Sequence, residues 1–168
     1  MNSLKFLPVL FANLGLALLT TAAISSQQPP IIVNETISMA KGAYVRVANV
    51  TLLKRGDIIA MPMTSSAKAY LTKELGYPDK TLLIKRVAGL SGDVMCRRGT
   101  TVTINAQTVH AARRDRFGTL LPYWTGCHVL LEQEVFLLGD HPSSFDSRYF
   151  GPVTKDQLIG TYRGVTTW

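Results

Sequence analysis

Leu82-Leu83-Ile84-Lys85-Arg86-Val87-Ala88-Gly89 is an apolar run broken by one adjacent pair of cations. Its length and its branched residues read as a buried strand. Period-2 alternation puts Lys85 on one face with Leu83 and Val87, and Arg86 on the other with Ile84 and Ala88. A lysine on an apolar face loses hydration, which disfavours its ammonium form and lowers its pKa. A neutral amine near pH 7 can take a proton from a hydroxyl, so Lys85 is a candidate general base. The competing reading is a lysine that snorkels to solvent along its aliphatic stem.

Other runs share this β character. Ala43 to Val50, Ile58 to Met63, Thr101 to Ile104 and Glu134 to Leu138 are short and rich in branched or aromatic residues. Turns are expected at Lys54-Arg55-Gly56-Asp57, Ser91-Gly92-Asp93 and Asn105-Ala106. One helix is expected, from Ser65 to Leu75, capped by Thr64 or Ser65 and closed by Gly76. The sequence thus predicts a mainly β, single domain of ordinary size over residues 31–168.

The N-terminus reads differently. Phe6 to Ile24 carries no charge, and at about 1.5 Å per residue it covers about 28 Å, close to the ~30 Å hydrocarbon core of a bilayer. Lys5 precedes it, and no further Lys or Arg occurs before Lys41. The positive-inside rule then makes residues 1–5 a cytoplasmic tail, 6–24 a transmembrane anchor, 25–30 a linker and 31–168 an exported domain. A cleavable signal peptide shares the positive start and the small residues Thr21, Ala22 and Ala23. Either reading exports the remainder.

Cys96 and Cys127 have no metal-ligand spacing, and His110 and His128 complete no zinc pattern, so neither metal nor cofactor is expected. An even cysteine pair in an oxidising compartment suggests a disulfide, whose loop of about 30 residues would contribute ~3–4 kcal/mol. Two buried thiols are the alternative. The net charge of +7 is spread along the chain, with a cluster at Arg113-Arg114-Asp115-Arg116 that reads as a solvated loop. Such a face could rest on anionic lipid. No nucleic-acid partner is expected, because no helix-turn-helix, zinc-finger or RNP-type pattern occurs.

Three segments could carry chemistry: Glu35-Thr36-Ile37-Ser38-Met39-Ala40-Lys41-Gly42, the Lys85 strand running into Gly89-Leu90-Ser91-Gly92-Asp93, and Gly139-Asp140-His141-Pro142-Ser143-Ser144-Phe145-Asp146-Ser147-Arg148-Tyr149-Phe150-Gly151. Their order and spacing resemble the boxes of type I signal peptidases, membrane-bound serine proteases with a Ser/Lys dyad, and most closely the conjugal-transfer branch of TraF-type pilin-processing peptidases.

The resemblance implies a signal-peptidase-like antiparallel β domain behind one N-terminal transmembrane helix, in a bacterial inner membrane with the catalytic domain periplasmic. It implies Ser38 as nucleophile and Lys85 as general base. Thr36 and the backbone N–H of Ser38 would form the oxyanion hole, and Ser144 would orient the lysine amine. Asp146 and Arg148 would be structural neighbours of the site. Ala40 and Lys41 stand where the family favours proline, and His141 where asparagine is more usual. The implied substrate is an exported pre-pilin or another signal-bearing polypeptide, cleaved with or without cyclisation, with other conjugation proteins as possible partners.

Ser38-Met39-Ala40-Lys41 and Ser65-Ser66-Ala67-Lys68 also satisfy the S-x-x-K signature of β-lactamases, but the S-D-N and K-T-G elements of that chemistry are missing. A non-catalytic periplasmic component that binds pilin or braces a secretion apparatus is the alternative from another class. A scaffold, however, gains nothing from a desolvated lysine.

Overall fold

The computed structural model describes residues 28–168; the segments 1–5 and 6–24, and most of 25–30, lie outside the described residues. The described residues form eleven strands: β1 (Ile31–Asn34), β2 (Gly42–Ala48), β3 (Ile58–Pro62), β4 (Leu82–Gly89), β5 (Val94–Arg98), β6 (Thr101–Ile104), β7 (Gln107–His110), β8 (Gly126–Val129), β9 (Glu134–Leu138), β10 (Val153–Thr154) and β11 (Gly160–Thr167). They make a seven-stranded sheet ordered β1-β2-β11-β3-β4-β9-β10 and a four-stranded sheet ordered β7-β6-β5-β8. Each strand pairing is antiparallel.

The expected helix is α1 (Ser65–Leu75). Thr64 caps it by accepting from the Ala67 N–H, and Gly76 ends it in the left-handed conformation, donating its N–H to Thr72. The expectation of a single helix is corrected. A second short one, α2 (Ser147–Phe150), follows its cap Asp146, and a 3-10 turn spans Lys155–Gln157. At one turn, α2 is too short for apolar periodicity to show in the sequence.

Strand β4 lies inside the large sheet between β3 and β9, with Lys85 opposite Ile59. Ile59, Leu83, Val87 and Leu137 join Ala67, Tyr70 and Leu71 of α1 in the main core. Phe136, Met95, Val102 and Leu130 form a second core beneath the small sheet. Leu121 and Phe145 pack against both, and Gly89 of β4 sits on the second, where a Cβ would lie 2.8 Å from Ile104 and 2.9 Å from Leu130. Main-chain bonds also tie the described end of the linker to the large sheet: Pro30 O accepts from the Arg46 N–H, and Pro29 O from the Tyr162 hydroxyl.

Candidate active site

Between β1 and β2 the chain makes a tight loop, residues 35–41, that carries Ser38. Asn34, the last residue of β1 and buried, spans this loop with its amide. Its Nδ2 donates to the carbonyls of Thr36 (2.9 Å), Met39 (3.1 Å) and Ala40 (3.0 Å). Its Oδ1 accepts from the Thr36 backbone N–H (3.2 Å) and the Thr36 hydroxyl (2.8 Å). The three carbonyl partners fix which end of the amide is nitrogen. One side chain thereby replaces the hydrogen bonds that a regular strand would have supplied.

Lys85 reaches this loop from the sheet. Its Nζ donates to Ser38 Oγ at 3.2 Å and to the carbonyl of Ile84 at 3.0 Å. Only 3% of Lys85 is exposed, so it does not snorkel. Burial lowers its pKa from 10.5 to about 8, with Arg148 pushing the same way and Asp146 and Asp140 opposing. The shift brings the neutral amine within reach at physiological pH.

Thr36 Oγ1 lies 3.0 Å from Ser38 Oγ. Asn34 Oδ1 can only accept, so it takes the Thr36 hydroxyl proton and leaves Thr36 Oγ1 to accept from Ser38. Thr36 therefore lies beside Ser38, with its hydroxyl directed at Asn34. To act as an oxyanion donor it must turn that proton away.

Ser144 is buried and lines the same cleft, yet its hydroxyl has no hydrogen-bond partner among the described residues. The amine takes the Ile84 carbonyl in place of the expected Ser144 hydroxyl. The segment that carries Ser144 packs tightly on the Ser38 loop. A Cβ on Gly139 would sit 2.0 Å from Ser144 Oγ and 2.7 Å from the Ser38 carbonyl, so only glycine fits there. The Ser38 carbonyl also accepts from the His141 N–H at 3.3 Å.

Asp146 and Arg148 hold that segment in place. They form a two-pronged ion pair at 2.8 and 2.6 Å, both almost wholly buried. Asp146 accepts from the Gly139 N–H (2.8 Å), while Arg148 donates to the carbonyls of His141 (3.1 Å) and Pro142. Every strong contact of the pair is to the scaffold. Asp140 points outward to Arg86 at 2.8 Å through both carboxylate oxygens.

The cleft around the Ser38–Lys85 pair measures about 410 Å³, walled by Val33, Leu71, Leu82, Ile84 and Phe145. Its walls are mainly apolar, as ligand clefts commonly are. A separate groove of about 620 Å³ runs past Arg55, Arg86, His110 and His141 and includes neither Ser38 nor Lys85. Cys96 and Cys127 form a disulfide across β5 and β8, remote from this chemistry. Among the described residues, no cluster of His, Cys, Asp or Glu could hold a metal.

Asn34 and Gly139 were not legible as site residues. An asparagine at a strand end and a glycine after one are ordinary turn signals. What distinguishes them is contact with a loop distant in sequence or bonding to main-chain carbonyls, neither of which has a sequence signature.

A plasmid transfer protein TraF from Escherichia coli is 33% identical over 147 residues, covering 81% of this chain and 82% of that protein. Signal peptidase I V of Bacillus subtilis is 30% identical over 95 residues, or 49% of this chain and 56% of that protein. A solved signal peptidase I from Enterococcus faecalis V583 is 25% identical, with a TM-score of 0.41 over 66% of this chain and 97% of that one. The family model for signal peptidase, peptidase S26, matches residues 3–168, and the chain belongs to that family of serine peptidases.

Proposed function

We propose that this chain is a membrane-anchored endopeptidase that processes an exported precursor through Ser38 and Lys85, and that the precursor is a conjugative pilin. The observation that carries the reading is the 3.2 Å contact between a buried lysine amine and a loop serine. Ser38 turns its proton from Thr36 Oγ1 to neutral Lys85, which takes it as Oγ attacks the scissile carbonyl carbon and the carbonyl π electrons move onto oxygen. The Ser38 backbone N–H and the Thr36 hydroxyl, once turned from Asn34, stabilise that oxyanion. Collapse breaks the C–N bond, and the Lys85 ammonium returns its proton to the leaving amine. Water, or the amino terminus of the substrate, then attacks the acyl-serine carbonyl while neutral Lys85 takes its proton; the C–O bond to Ser38 breaks, the proton returns to Ser38 Oγ, and a linear or a cyclic product leaves.

Asp146 and Arg148 act as scaffold in this scheme, and Ser144 offers the amine a second acceptor when its chain moves. The pilin substrate is supported by the likeness to a plasmid transfer protein, and membrane attachment by the uncharged run 6–24. With that run as an inner-membrane anchor, residues 31–168 are the periplasmic peptidase domain and the disulfide sits in an oxidising space.

Co-expression of a candidate pilin precursor with the wild type, Ser38→Ala or Lys85→Ala tests the reading. Processing by the wild type and by neither variant is expected. Equal processing by all three would overturn it.

A further inference from the structure

A further groove, of about 610 Å³, adjoins the Ser38–Lys85 cleft, with which it shares Ile37, Leu75, Ser143 and Phe145. Its floor is apolar, through Tyr70, Leu121 and Tyr149, and its rim is the turn 113–118. That turn is held rigid. Leu121 donates its N–H to the Arg113 carbonyl, Arg114 Nη1 donates to the Gly118 carbonyl at 2.6 Å, and Arg114 pairs with Leu120.

The charges on this rim are unbalanced. Arg113, Arg114 and Arg116 are exposed and form no ion pair among the described residues. Arg113 stacks 4.0 Å over Tyr123 and Arg116 4.7 Å over Phe117, which holds each guanidinium out from the backbone. Asp115, the one acid in the turn, has both oxygens engaged. One accepts from the Phe117 and Thr119 N–H groups, and the other from the Tyr70 hydroxyl. Asp115 therefore shapes the turn and leaves the arginines free to meet an outside anion. A solvated loop, the expectation from sequence, needs no apolar floor beside it.

We propose that this groove is an extended substrate subsite that takes an acidic segment of the polypeptide being processed, an apolar side chain on the floor and an Asp or Glu against Arg114 and Arg116. The proposal rests on the peptidase reading, since the groove adjoins the cleft that holds Ser38 and Lys85. Adjacency to that cleft favours peptide over anionic lipid as the occupant, because a flat bilayer surface would not enter a groove. Guanidinium groups also suit carboxylates through paired N–H donors.

The test uses the full chain in micelles and a mixture of synthetic peptides of defined sequence, with products read by mass spectrometry. Cleavage by the wild type and not by Ser38→Ala is expected; its failure contradicts the peptidase reading itself. Given cleavage, wild-type kcat/KM should favour peptides with Asp or Glu near the scissile bond over their Lys counterparts by about fivefold to tenfold. Arg114→Glu/Arg116→Glu should invert that preference, which a misfolded variant could not do. Arg114→Ala/Arg116→Ala should abolish the preference. Equal treatment of acidic and basic peptides by the wild type would overturn the subsite and leave the peptidase standing. So would an effect of the arginine variants seen in phosphatidylglycerol vesicles and not in neutral phosphatidylcholine ones.

Discussion

Lys85 carries a thermodynamic cost that the rest of the protein must bear. An unfolded chain holds the lysine proton up to about pH 10.5, whereas the folded chain releases it at about 8. Between those values the unfolded state binds more protons, so stability rises with pH. Below 8 both states are protonated and the full penalty, on the order of 3 kcal/mol, is present. Lys85→Met keeps the length of the side chain and removes the charge. It should raise the thermal midpoint at pH 7 by several degrees while eliminating cleavage. The difference from wild type should shrink as pH rises from 8 to 10.5. A variant no more stable than wild type at pH 7 would mean the amine is solvated. Such opposition between stability and activity is expected where a reactive group is kept dry.

The loop that carries Ser38 is an element held by one residue. Asn34 supplies five hydrogen bonds to the loop that carries Ser38. Asn34→Ala would leave three carbonyls and the Thr36 N–H without that partner and release the Thr36 hydroxyl. Displacement of Ser38 by about 1 Å should lower kcat roughly a hundredfold. KM should change little, since most cleft walls come from α1, β4 and the Ser143–Phe145 segment. The ionisation near 8 should persist, because Lys85 stays buried on β4. A rise in KM with kcat unchanged would assign Asn34 to the substrate and not to the loop.

Elements with a strong local signal were legible. Strands β3, β4, β6 and β9 follow their branched runs, and α1 follows its cap and its closing glycine. β1, β5, β7, β8, β10 and β11 were not among the expected runs, and three of them show why. β11 contains Gly160 and Gly164 and is mostly exposed, and β7 is a polar edge. β5 ends in Arg97-Arg98, and Arg97 is nonetheless buried, stacked 4.2 Å from the centre of the Tyr123 ring. Tertiary pairing overrides local propensity in each case. The contact between Ser38 and Lys85 spans 47 residues and could be inferred only from family resemblance, because spacing along the chain does not encode which faces meet.

At the scale of the whole molecule, two sheets divide the labour. The large sheet supplies the loop with Ser38, the strand with Lys85 and, through β9, the Gly139–Asp146 segment that closes over both. The small sheet, clasped by the Cys96–Cys127 disulfide, supports the arginine turn between β7 and β8. An excess of positive charge, +7 in all, suits a domain working near anionic lipid or on acidic polypeptide. The central claim is that Lys85, unprotonated, activates Ser38. The pH dependence of kcat/KM for the full chain in micelles, on the precursor processed in co-expression, tests it most directly. Activity should rise about tenfold per pH unit up to a single ionisation near 8 and then level off. A profile flat from about pH 6 to 10, or one that falls as pH rises through 8, would contradict it.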